Sequence, residues 1–127
     1  PPMRYARLLK EKMEAHGTKV YLVNTGWSGG SAASGAKRMP LDATRAMVTA
    51  ILTGEIEQSD FTEEPVFGLE IPASIHGVDR SLLMPRQAWS DKDAYDRTAR
   101  LIAHKFRDNF VQYSGEESTL EAAGPRV

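Results

Sequence analysis

The chain has 127 residues, enough for one domain, and its 41% hydrophobic and 26% charged composition is that of a globular protein, not a collagen-like or disordered one. Sixteen basic residues against 17 acidic ones give a net charge of −1, which argues against a phosphate-tracking nucleic-acid binder. The absence of cysteine excludes disulfides, zinc ribbons, iron–sulfur ligation and cysteine nucleophiles, and no apolar run reaches the length of a membrane span.

In chain order, the first predicted element is a helix over 3–16. Pro2 suits its first turn, Tyr5, Leu8, Leu9 and Met13 form an apolar face at helical spacing, and Gly17 closes it. Residues 19–23, Lys-Val-Tyr-Leu-Val, read as a strand; their unbroken apolar run fits a central strand covered on both faces. Residues 24–40 read as a glycine-rich loop, long for a connection in a compact domain and therefore a candidate for function. A second helix is predicted over 42–53, with Asp42 as N-cap, Ala43, Ala46, Met47, Ala50 and Ile51 as its buried stripe and Gly54 as its stop.

Residues 66–71 alternate as a strand does, between Pro65 and Pro72, with Phe61-Thr62 a short strand before them. Residues 73–89 read as irregular, with turns at His76-Gly77 and Met84-Pro85. A long helix follows over 91–113, with Ser90 as N-cap and Tyr95, Thr98, Ile102, Phe106, Phe110 and Tyr113 along one stripe. The tail from Ser114 is polar, with one helical turn expected near Leu120. A strand apolar on both faces needs neighbours that this inventory does not supply. The fold class expected is therefore α/β, a mixed sheet with flanking helices whose remaining strands lie outside these residues. The opening Pro1-Pro2, with the first Met at position 3, agrees with a piece of something longer.

The strand–glycine loop–helix unit at 19–53 carries the most information, because glycine loops ahead of helix N-termini let backbone N–H groups approach a phosphate or nucleotide. The string from Gly30 to Arg38 comes near a P-loop and fails twice: Lys37 falls one place late, and Arg38 stands where a magnesium-binding hydroxyl belongs. His16, His76 and His104 have no histidine at ligand spacing and read as structural or surface residues. Glu63-Glu64 and Glu116-Glu117 read as solvated charge. Trp27 can stack on a base or plug the surface, and Trp89 reads as a hydrophobic staple.

At Val23-Asn24-Thr25-Gly26-Trp27, followed by Gly35, Lys37-Arg38 and Thr44-Arg45, the chain resembles the ATP-dependent phosphoenolpyruvate carboxykinases. The resemblance continues through Pro65-x-Phe67-x-Leu69-x-x-Pro72, Gly77-Val78, Pro85-Arg86-x-x-Trp89 and Ala122-Ala123-Gly124-Pro125, in order along essentially the whole chain. The GTP-dependent carboxykinases do not share this pattern.

The resemblance implies that residues 1–127 are the C-terminal portion of a mononucleotide-binding domain. The family's enzyme, a carboxy-lyase of gluconeogenesis, converts oxaloacetate and ATP to phosphoenolpyruvate, CO2 and ADP with Mg2+ and Mn2+. The family's P-loop, metal ligands and oxaloacetate-binding arginines would lie upstream, so catalytic and metal-ligating residues are expected to be absent here. The family's ATP contacts fall on Arg38, Met39 and Thr44: a guanidinium for adenine or ribose, an adaptable apolar surface with a backbone group for the base edge, and a hydroxyl for a ring nitrogen. The departure is the loop from Ser28 to Ala36, which is shorter in some members. The expected partners are the upstream remainder of the enzyme, oxaloacetate and ATP, with neither nucleic acid nor membrane; cytoplasm is the default compartment, since Pro125-Arg126-Val127 does not resemble a peroxisomal address. A free-standing, non-catalytic nucleotide-binding module is the alternative reading.

Overall fold

The computed structural model describes residues 2–113 and 118–127. Helix α1 (Pro2–His16) begins at the expected proline and ends at Gly17, whose φ of +60° terminates the helix as only glycine does cheaply. Of its apolar face only Met3 is buried; Tyr5, Leu8 and Leu9 stand exposed.

Residues 19–23 form no strand. They join no strand ladder, and Tyr21 and Val23 pack on the core while Val20 is 59% and Leu22 85% exposed. The run is apolar on both sides, but the described residues supply a cover for one side only and no neighbour to hydrogen-bond its edges. Both strand ladders in the described residues are antiparallel and two-stranded, so the expected mixed sheet is not formed by them; helix and strand content alone fit the α/β reading.

The first ladder lies inside the segment read as a loop. β1 (Trp27–Ser28) pairs with β2 (Lys37–Arg38), Trp27 opposite Arg38 and Ser28 opposite Lys37, and a 3-10 turn at Ala32–Ser34 sits between them. The Met39 N–H donates to the Gly26 carbonyl at 2.8 Å and carries the ladder one bond further. From there Pro40 leads into α2 (Leu41–Thr53). Pro40, not Asp42, is the N-cap; Asp42 sits in the first turn and accepts from the Ala43 N–H at 2.9 Å. Gly54, at φ +77°, ends the helix as expected. Ala43, Met47 and Ala50 are buried, with Ala46 and Ile51 half-buried beside them.

The second ladder joins β3 (Phe61–Glu63) to β4 (Glu70–Pro72), with Thr62 opposite Ile71. The strand expected over 66–71 is thus only its last part. Residues 65–67 form a turn instead, because the Glu64 carboxylate accepts from the Val66 and Phe67 N–H groups at 3.0 and 2.5 Å and Gly68 takes φ +67°. The alternation that resembled a strand places Phe67 against Phe106, ring centroids 6.3 Å apart at 85°.

Two short helices occupy the segment read as irregular. α3 (Arg80–Leu83) is capped by Asp79, whose carboxylate accepts from the Ser81 N–H and hydroxyl at 2.8 and 2.7 Å. Met84 leaves the helical region ahead of Pro85, as a residue before proline tends to do, and Pro85 starts α4 (Pro85–Ala88). α5 (Lys92–Phe110) starts one residue later than expected. Asp91, not Ser90, caps it, accepting from the Ala94 N–H at 2.9 Å, and a 3-10 turn at Val111–Tyr113 ends it. Trp89 packs edge-on against Tyr95 in the first turn, 5.7 Å between rings, in keeping with the staple reading. The buried residues of α5 are Ala99 and Ala103, not the large residues of the expected stripe; Phe106 remains 59% exposed. α6 (Ser118–Ala122) is the expected turn near Leu120, while Ser114, Glu116 and Glu117 lie outside the described residues.

The core joins Met47 and Ala50 of α2 to Ile56, Ile75 and Leu83, with Tyr21, Val23, Met39 and Ile71 packed against it. No described helix is long and apolar enough to cross a membrane. The chain exposes 9286 Å², where a self-contained folded monomer of its 14.0 kDa mass exposes roughly 6,700 Å². The excess is of the size that extensive protein–protein interfaces bury.

Candidate nucleotide site

The three residues expected to contact ATP lie in and just after β2, where the first hairpin runs into α2. Residues 37–44 pass from strand to helix through the single bend at Met39-Pro40, so a side chain on β2 and one in the first turn of α2 flank the same junction. Arg38 is exposed, and its guanidinium carbon lies 5.7 Å from the centre of the Trp27 ring, the residue directly opposite it in the ladder. Among the described residues no carboxylate pairs with it. Trp27 is itself 49% exposed, so the two form a surface stack and not a core plug.

Met39 is half-buried against the core, and its N–H is committed to the Gly26 carbonyl. It therefore anchors the junction from beneath, and its carbonyl is the backbone group that remains for a base edge. Thr44 is half-buried; its N–H and hydroxyl both donate to the Pro40 carbonyl, at 3.1 and 3.3 Å. The long hydroxyl bond leaves the oxygen able to accept from an amino group where it stands, or to donate to a ring nitrogen by rotating away.

A second polar constellation was not anticipated. A cleft of about 550 Å³ opens between the β3–β4 hairpin, α4, α5 and the last residues of the chain, and it contains none of Arg38, Met39 and Thr44. Four of its charged side chains form two ion pairs. Arg86 holds Asp96 through two bonds of 2.8 and 3.0 Å, and Arg126 holds Glu63 through a two-pronged pair. The Arg86 hydrogen bond keeps Asp96 below the usual aspartate range, and Arg126 does the same for Glu63; burial pushes the Tyr95 phenol up. Glu63 and Glu64, read as solvated charge, are thus an ion-pair partner and a turn cap. No periodic pattern announces a contact between residues 63 positions apart, which is why this clasp was missed. The Trp27–Arg38 pair had a signal: an aromatic and a basic pair flanking a glycine-rich stretch is also what a hairpin presents.

His76 and His104 are exposed, and among the described residues no group of three His, Cys, Asp or Glu side chains is placed to hold a metal ion.

Residues 1–81 match the phosphoenolpyruvate carboxykinase family. The chain is 49% identical over 126 residues to the phosphoenolpyruvate carboxykinase (ATP) of Caldanaerobacter subterraneus subsp. tengcongensis, covering 99% of this chain and 24% of that protein. It is 48% identical over 127 residues to that of Thermus thermophilus and 47% identical over 127 residues to that of Rhizobium leguminosarum, with the same coverage of 99% and 24%. The chain therefore spans about a quarter of the length of the curated relatives it matches. With a family model over 81 of its 127 residues and 48–49% identity across 99% of its length, the chain belongs to the ATP-dependent phosphoenolpyruvate carboxykinase family.

Proposed function

We propose that these residues are the C-terminal segment of a cytoplasmic ATP-dependent phosphoenolpyruvate carboxykinase, part of its mononucleotide-binding domain, and supply the adenosine side of its ATP site. The complete enzyme decarboxylates oxaloacetate and moves the γ-phosphoryl group of ATP to the resulting enolate, giving phosphoenolpyruvate, CO2 and ADP in gluconeogenesis. The observation that carries the placement is the Arg38 guanidinium: exposed, free of any carboxylate among the described residues, and held at the strand-to-helix junction. A planar cation of this kind stacks on a purine or hydrogen-bonds a ribose hydroxyl. The weakly committed Thr44 hydroxyl is the group offered to a base edge in this reading, and Met39 fixes the backbone between Arg38 and Thr44.

Two features support a segment that completes itself against more protein. The 19–23 run has one covered and one open apolar side, and the surface exceeds that of a self-contained monomer. In this proposal Mg2+ and Mn2+ are held by the rest of the enzyme. Phosphoryl transfer depends mainly on positioning and electrostatics, and the contribution of these residues is orientation of the nucleotide.

The test is steady-state kinetics of the full-length enzyme with each substrate varied. Arg38→Ala should raise the KM for ATP about ten- to a hundredfold, the cost of one charged hydrogen bond or stack. It should leave the oxaloacetate KM and the rate at saturating ATP nearly unchanged. A variant that keeps its ATP KM and loses kcat would move Arg38 to the phosphoryl group and refute the adenosine placement. The isolated segment should show no turnover with oxaloacetate, ATP and both metals.

A further inference from the structure

We infer that Trp27 is a positioning residue for the nucleotide, acting through Arg38 and not by touching the base; this rests on the adenosine placement above. Trp27 and Arg38 are directly opposite in the β1–β2 ladder, and the guanidinium lies 5.7 Å from the indole centre. An arginine on a two-residue strand has four side-chain torsions and, among the described residues, no carboxylate to hold it. Without a partner it samples many rotamers, and a ligand that uses it must first order it. The indole face removes part of that cost before the ligand arrives. It does so without neutralising the charge, as a carboxylate would, and without occupying the N–H donors, which lie in the guanidinium plane.

The hairpin shows the same economy. The Met39 N–H bond to Gly26 on one side and the Ser28–Lys37 pairing on the other hold the backbone that flanks the stack. In the eight-residue connection from Gly29 to Ala36 the 3-10 turn closes on itself, the Ser34 N–H and hydroxyl both bonding the Ser31 carbonyl at 3.0 and 2.8 Å.

The closing experiment is a double-mutant cycle in the full-length enzyme, read as the KM for ATP. Trp27→Ala should raise it about two- to fivefold, the worth of an exposed cation–π contact, and Trp27→Phe should retain most of the wild-type value. In an Arg38→Ala background, Trp27→Ala should add nothing. Loss of the same factor in both backgrounds would mean that Trp27 meets the nucleotide directly or acts through the fold, and would overturn the inference while leaving the Arg38 placement intact. An Arg38→Ala enzyme with an unchanged ATP KM would refute the placement and the inference together. A Trp27→Phe loss equal to that of Trp27→Ala would also count against a role carried by the aromatic face.

Discussion

The two hairpins use charge in opposite ways. In β3–β4 the two acidic side chains that lead into the turn have internal partners. Glu63 is gripped by Arg126, and Glu64 closes the turn onto the Val66 and Phe67 N–H groups. The Arg126 N–H also donates to the Val66 carbonyl at 2.7 Å, so the end of the chain is sewn to the turn by backbone and side chain together. In β1–β2 the only contact found for a charged side chain among the described residues is the Arg38 stack on Trp27, which leaves the charge intact. A hairpin whose charges are satisfied serves the fold; one that holds a cation ordered but unneutralised is prepared for something outside itself.

The sharpest way to break this contrast is to strike each hairpin and read both stability and substrate kinetics in the full-length enzyme. Gly68 has φ +67°, and a Cβ there would lie 3.2 to 3.4 Å from the Arg126 guanidinium. Gly68→Val should therefore lower stability by about 1–3 kcal/mol, through backbone strain that a β-branched residue cannot relieve. The ATP KM should stay unchanged. Arg38→Ala should do the reverse, with stability within about 0.5 kcal/mol of wild type, as at other exposed positions. Thermal melts beside ATP titrations decide it; a Gly68→Val enzyme with a normal melt, or an Arg38→Ala enzyme that melts early, would dissolve the division between the hairpins.

A smaller effect sharpens the site itself. Thr44→Val should raise the ATP KM about two- to tenfold, the range of one neutral hydrogen bond, and Thr44→Ser should restore it. If Thr44→Val instead lowers the melting temperature and leaves the KM alone, the hydroxyl serves only its bond to the Pro40 carbonyl.

How much of this could be read in the sequence follows from which forces are local. Helix ends marked by glycine were legible: Gly17 and Gly54 both take the positive φ that their positions predicted, because a helix terminus is decided within a few residues. The caps of α2 and α5 were misplaced by one or two positions, since Asp42, Ser90 and Asp91 are all capping types and only geometry separates them. α3 and α4 escaped because four residues carry no helical period. The 19–23 run was read for what it needs, strands on either side, and the described residues do not contain them. Arg38, Met39 and Thr44 lie at one strand-to-helix junction, which their closeness in sequence already dictates. The commitment of the Met39 N–H to Gly26, and the stack of Arg38 on Trp27, depend on a ladder closed across eight intervening residues, which no local pattern specifies. The Glu63–Arg126 clasp is still further from local.

The smallest expected effect tests that clasp through pH. The hydrogen bond from Arg126, helped by its charge, holds the Glu63 carboxyl below its ordinary value of 4.5. A carboxylate whose pKa is lower folded than unfolded adds stability at pH above its unfolded value. That stability disappears as pH falls through the folded value. Glu63→Gln removes the titrating group and keeps the shape, so the variant should melt slightly below wild type at neutral pH. The gap should narrow once the pH drops below about 4.5 and close in stronger acid. Wild type and variant will both still lose stability in acid, because Asp96 and Asp79 have depressed pKa values of their own, held by Arg86 and Ser81. Only the difference between the two proteins reports Glu63. Both members of the pair are about half exposed, so the gap should be small at low ionic strength and smaller still in salt. A gap that persists unchanged from neutral pH into acid would mean that the difference does not come from the Glu63 charge. The two hairpins would then differ in packing alone.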